Sequence, residues 1–225
     1  MKKFACVVLV AILVLCGFAL AETVYVTISN GSGELVMAYA AVEVSDADGD
    51  GVLTIDDALF CAHDAAYEGG AAAGYVSAET EYGKSIYKLW GEENGGSYGY
   101  YLNDASAMSL LDAVADGDLV HAYAYQDLEG WSDTYCYFSA AEFDTSSTAM
   151  KQVLTALVYD ADWNLVPTPV EGAIITINGA DTDIITAADG SFEYNIFDSE
   201  PGEYVISARS ETMTLVPPVW VVSVS

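Results

Sequence analysis

Basic residues are almost missing from this chain: 6 lysines and arginines stand against 34 aspartates and glutamates. Two of the six, Lys2 and Lys3, lie in a segment that reads as removable. The remaining four (Lys84, Lys88, Lys151, Arg209) face the same 34 acids, a formal charge of −30. So acidic a surface repels phosphate backbones and anionic headgroups, which excludes nucleic acid and anionic membrane as partners and favours divalent cations. Histidine is scarce as well, with only His63 and His121 present. Nucleophilic catalysis needs a base beside its nucleophile, and the chain has neither a Gly-x-Ser-x-Gly elbow nor a His-Glu-x-x-His run. It reads as non-enzymatic. His63, four places beyond Leu59, and His121, between Leu119 and Tyr123, both read as packed side chains. Long apolar runs are absent after residue 21, so nothing there is expected to span a bilayer.

Cysteine is sparse, and two of the four fall near the start. Lys2-Lys3, an apolar run from Phe4 to Leu15 and the small-x-small site Ala19-Leu20-Ala21 read as a secretory signal peptide cut after Ala21. Lipidation at Cys16 is disfavoured by the bulky Leu15 before it. The product is therefore expected to be secreted, extracellular or at the cell surface. Cys61 and Cys136 remain, an even pair in an exported chain, which is the arithmetic of one disulfide. Two buried free thiols are the alternative.

What is present is a patterned acidic loop, residues 46–57. Asp46, Asp48 and Asp50 stand at positions one, three and five, and Gly51 at six allows the sharp turn that lets them converge. Val52 at seven offers a carbonyl, Leu53 at eight an apolar anchor, Thr54 at nine a hydroxyl or a held water, and Asp57 at twelve a closing carboxylate. Hard oxygen ligands in this order suit Ca²⁺. Asp at twelve has a shorter arm than the usual Glu, and it binds with one oxygen or through water. The loop resembles that of EF-hands and, with Asp57 followed by Ala58-Leu59, that of dockerin modules, which dock onto cell-surface scaffold proteins. Dockerins carry two such loops, and only one is found here.

Around the loop, residues 23–29 and 34–44 alternate as a strand hairpin about Asn30-Gly31-Ser32-Gly33. Thr54 is placed to cap a helix whose first turn carries Asp56 and Asp57 and which ends at Glu68-Gly69-Gly70. Further strands are expected over 85–91, 98–104, 119–125 and 135–138, the last closing a domain of residues 22–143. Residues 144–150 are small and polar and read as a linker. Beyond it, short strands with glycine-rich turns over 151–225 argue for an all-β sandwich. The fold class is thus mainly β: an α+β, β-grasp-like domain with one helix and a calcium loop, then an all-β sandwich domain.

Two resemblances sharpen this. The "DAL" helix, Leu89-Trp90-Gly91, Gly99-Tyr100-Tyr101-Leu102-Asn103 and Asp116-Gly117-Asp118-Leu119-Val120 resemble the transcobalamin-like C-terminal domain, a small β-grasp-like sheet with one helix. That resemblance implies a corrinoid or other small-ligand carrier as one reading. The order Gly172-Ala173, Thr186-Ala-Ala-Asp189-Gly190-Ser-Phe192 and Pro201-Gly202-Glu-Tyr204 resembles carboxypeptidase regulatory-like domains, prealbumin-type sandwiches used as spacers or binding platforms. The first domain also holds 13 of the 16 tyrosines. Trp90, Tyr100, Tyr101, Asn103, Tyr123 and Tyr125 form a possible ligand face, since aromatic rings stack on glycans and flat ligands. Ordinary sheet packing of a tyrosine-rich domain is the competing reading. A dockerin-like tag for a cell-surface protein is the third functional alternative.

Overall fold

The computed structural model describes residues 21–139, 142–144, 149–195 and 199–224. Of the signal peptide expected over residues 1–21, residues 1–20 lie outside them. The chain is mainly β and builds several sheets.

Strands β1 (Ala21–Ser29) and β2 (Leu35–Ser45) form the expected antiparallel hairpin. Its turn is closed by Asn30, whose Oδ1 accepts the Ser32 and Glu34 amides at 3.1 and 2.9 Å. Helix α1 (Ile55–Ala66) follows the acidic loop, and the four-residue helix α2 (Ala71–Gly74) follows it in turn. A separate hairpin, β3 (Val76–Thr80) with β4 (Gly83–Lys88), precedes β5 (Tyr98–Leu102), β6 (Ala105–Ser106) and β7 (Leu119–Ala124). The first sheet has the order β2-β1-β7-β5-β6. Its central pair, β1 and β7, runs parallel, as a long crossover containing a helix allows.

One face of this sheet is covered by α1. Val24, Val26 and Ile28 of β1 meet Val42 and Val44 of β2, Val120 and Ala122 of β7, and Ala58, Leu59 and Ala62 of the helix in a single buried core. The alanines let the helix approach closely, and fully burying a side chain such as Leu59 contributes roughly 1.5–3 kcal/mol.

The second half is built around the long strand β10 (Ala149–Tyr159). Ahead of it come β8 (Cys136–Phe138) and β9 (Glu142–Asp144), and after it β11 (Leu165–Pro169), β12 (Ile174–Ile177), β13 (Ala180–Ile185), β14 (Ser191–Tyr194), β15 (Gly202–Arg209) and β16 (Trp220–Val224). The first half of β10 pairs with β9 and β14, and the second half with β8 and β11. A four-stranded sheet, β13-β12-β15-β16, shares a core with it through Leu154, Ala156, Ile175, Phe192, Ile206 and Val222.

Several expectations are corrected here. The strand over 135–138 does not close the first domain: β8 pairs with β10, and Cys136 lies in the second core. Of the expected linker 144–150, residues 145–148 lie outside those described; Asp144 before them pairs with Ala149 after them. Two helices are present among the described residues where one was expected. The Cys61–Cys136 bridge is not formed. The Cys61 thiol lies 3.7 Å from the Ser45 carbonyl, whereas the Cys136 thiol donates to the Val216 carbonyl at 3.1 Å. Each sulfur belongs to a different core, and burial pushes the Cys136 thiol well above its ordinary range.

Candidate metal centre

The loop between β2 and α1 wraps its backbone around its own carboxylates. Asp46 Oδ1 accepts the Gly49 and Asp50 amides at 2.7 and 3.2 Å, and Oδ2 accepts the Gly51 amide at 2.8 Å. Asp50 Oδ1 takes the Val52 amide at 2.8 Å. Gly49 and Gly51, at φ +80° and +91°, supply the left-handed turns this path requires. The result brings an oxygen of each of Asp46, Asp48 and Asp50 to within 4.8 Å of the others. Amide donors, Gly51 foremost, hold the Asp46 carboxyl below the usual carboxylate range. Its contribution to stability is therefore present above the unfolded value and lost as pH falls through the lower folded one.

The other three expected ligands sit differently. Val52, expected to offer its carbonyl, is exposed at the loop, and its amide donates to Asp50 Oδ1. Thr54 and Asp57 form a reciprocal capping box on α1: the Asp57 amide donates to Thr54 Oγ1 at 3.3 Å, and Asp57 Oδ2 accepts the Thr54 amide and hydroxyl at 3.0 and 2.7 Å. Asp57 Oδ1 accepts the Ala47 amide at 2.9 Å. Position twelve thus ties the start of the loop to the helix and stands outside the carboxylate trio. A carboxylate offers about four acceptor sites, so little is left over for an ion. Asp57→Ala is expected to cost about 2 kcal/mol in urea unfolding even in chelator, because two buried donors lose their acceptor. Asp48→Ala, removing an exposed carboxylate, is expected to change little under the same conditions.

Two features of the centre were not foreseen. Lys84 of β4 places Nζ 2.6 Å from Asp56 Oδ2 and 3.4 Å from Asp48 Oδ2, a cation brought to the loop's rim by the β3–β4 hairpin. The signal available was that Lys84 is one of only four basic residues beyond residue 21. Asp56 is held further by the Tyr75 hydroxyl at 2.6 Å. The loop's exit is also paired: the Val114 amide donates to the Leu53 carbonyl at 2.9 Å, the Ile55 amide to Asp112 at 3.1 Å, and Thr54 bridges Ala113. The chain's own segment 110–114 therefore satisfies the backbone that a second loop would otherwise meet.

The proposed ligand face does not come together. Tyr100 and Tyr101 are neighbours in a strand and point to opposite sides of the sheet. Tyr100 packs against the helix-side core, and so does Trp90, whose amide donates to His63 Nε2 at 2.9 Å. His63 Nδ1 in turn lies 2.6 Å from the Leu59 carbonyl, which makes this the packed histidine expected. Asn103 is structural: with Asp104 it occupies a two-residue turn at φ +52° and +61°, and its amide accepts from Leu119 and donates to Asp118, both at 2.8 Å. Tyr101, Tyr123 and Tyr125 do share the helix-free face, but the second half of the chain covers it. Tyr101 stacks on Tyr135 with ring centres 3.7 Å apart and planes 8° from parallel.

Compared with known proteins, the chain matches no family model, no curated protein and no solved structure at a significant level.

Proposed function

We propose that this chain is an exported, non-enzymatic, calcium-stabilised binding or surface module, in which a β-grasp-like domain and a sandwich-type domain are presented outside the cell. The single observation that carries the reading is the convergence of Asp46, Asp48 and Asp50 within 4.8 Å of one another on a turn made by Gly49 and Gly51. Three carboxylates that close repel one another, and a hard divalent cation relieves that repulsion. Extracellular sites of this class bind at roughly 10⁻⁴–10⁻³ M, which suits steady occupancy and not signalling.

The dockerin-like reading gains no support, since the edge where a second loop would pair is taken by residues 110–114. The corrinoid-carrier reading rests on the resemblance to the transcobalamin-like domain, and no open aromatic face adds to it: Trp90 and Tyr100 pack on the helix-side core, and Tyr101, Tyr123 and Tyr125 against the chain's own second half. Among the described residues no helix is long and apolar enough to cross a membrane.

Equilibrium dialysis of the full chain at millimolar calcium tests the reading. One bound ion per chain is expected, lost in the Asp46→Asn, Asp50→Asn double variant. An empty wild-type protein under these conditions would refute it.

A further inference from the structure

Three buried or half-buried polar side chains, His121, Asp104 and Gln152, converge on the opposite side of the first sheet, and one of them has an unpartnered atom. Between its helix-free face and the strands of the second core lies a cavity of about 430 Å³. His121 of β7 lines it, only 2% exposed, and its Nε2 has no hydrogen-bond partner among the described residues. A buried polar atom without a partner is costly, and folded proteins keep few of them. Asp104 lines the same cavity and accepts the Tyr135 hydroxyl at 2.8 Å. Gln152, 1% exposed, contributes a buried amide, and Trp220 and Tyr39 add aromatic surface. Tyr39 reaches the cavity from a bulge in β2, at φ +47°, with its amide turned onto Thr27 Oγ1 at 3.0 Å. Bulges re-aim side chains, and non-glycine residues in the left-handed region gather where function holds them. Tyr39 is of that kind, whereas Asp104 owes its positive φ to the two-residue β5–β6 turn.

The lining limits the ligand. No lysine or arginine is among its described lining residues, so none of these would hold an anion by charge. Burial lowers His121 to about 3, so the imidazole stays neutral and offers one donor and one acceptor. Burial also pushes the Asp104 carboxyl upward, and the Tyr135 hydroxyl already occupies one of its oxygens, which makes it a poor seat for an organic cation. A carboxylate, an amide and a neutral imidazole alternate acceptors and donors as adjacent hydroxyl groups do, and aromatic walls suit the apolar face of a sugar ring. We propose that this cavity binds an uncharged polyhydroxylated ligand, one or two sugar residues in size, with His121 and Asp104 as its polar anchors. This gives the binding-module reading a ligand class, and it is independent of the ion because no residue of the 46–57 loop lines the cavity.

The test is saturation-transfer NMR and calorimetry on the full chain in excess calcium. The probes are methyl glucoside, methyl galactoside, N-acetylglucosamine, maltose and cellobiose, with tetramethylammonium as the cationic comparison. At least one sugar is expected to bind saturably at millimolar concentration, and tetramethylammonium is not. His121→Phe should weaken that sugar about tenfold or more while leaving the melting midpoint unchanged or raised, since it removes a buried atom that had no partner. Asp104→Asn, which keeps an acceptor for Tyr135 and a side chain tolerant of the left-handed turn, should also weaken it. Binding of none of the sugars, binding of tetramethylammonium alone, or sugar affinity unchanged in both variants would overturn the proposal. Calcium binding measured on the same sample separates that failure from failure of the metal reading.

Discussion

Melted in calcium and again in chelator, the protein should show two midpoints separated by about 5–10 °C. At a hundredfold excess of ion over its dissociation constant, linkage supplies about 2.7 kcal/mol, and a chain of this size moves about 2–4 °C for each kcal/mol. The effect reaches beyond the loop because both of the loop's ends are structural. It leaves the edge strand β2 and enters α1 through the Thr54–Asp57 cap, and that helix covers the core face of the first sheet. Letting Asp46, Asp48 and Asp50 repel one another therefore loosens the helix that their turn precedes. Magnesium, which demands a tighter octahedral shell and gives up water reluctantly, should reproduce only a small part of the shift. Coincident midpoints in calcium and chelator would remove the ion from any role in stability.

The second large effect concerns Gly190, in the turn before β14. Its φ is +75°, and a Cβ there would lie 2.5 Å from the Leu154 carbonyl oxygen and 3.2 Å from the Pro169 Cβ. The contact is with backbone, which has nowhere to go: the Gly190 carbonyl accepts the Leu154 amide at 2.9 Å, pinning the turn against β10. Gly190→Ala is expected to cost about 3 kcal/mol or more, the sum of a left-handed alanine and overpacking against a fixed strand. Gly179 is the matched control. Its φ is +77°, yet nothing lies within 4 Å of its would-be Cβ, so Gly179→Ala should cost only about 1–2 kcal/mol. Urea midpoints at unchanged slope read both values. Equal losses would mean that the close approach to β10 carries no weight.

The parts legible in the sequence were those whose signals are local. The β1–β2 hairpin announces itself by alternation around Asn30-Gly31, and the helix start by Thr54 and the acids after it. The carboxylate trio follows from spacing and a glycine. What escaped was set by distant partners. The strand at Cys136–Phe138 alternates like any other, and nothing nearby says that its neighbour is β10. Period two told which tyrosines share a face, but not that Tyr135 would lie flat on Tyr101 and close it. Parity counted two thiols without placing them. Asp57 carried two readings at once, ligand and cap, and the capping box lies just one turn from the trio. Strand β11 was hidden by Pro167 and Pro169, which a sheet tolerates at an outer position because no ladder donor is needed there. His121 resembled any buried strand residue, and its lack of a partner is visible only once every neighbour is placed.

The outer strands carry a last consequence. β2 is interrupted by the bulge at Tyr39, β6 is only two residues long, and β11 holds two prolines. Each is a poor template for another chain to extend, by the three devices that natural sheets use against edge-to-edge growth. Together with like-charge repulsion between molecules this acidic, such edges disfavour the sheet-to-sheet growth to which a strand-rich chain is exposed.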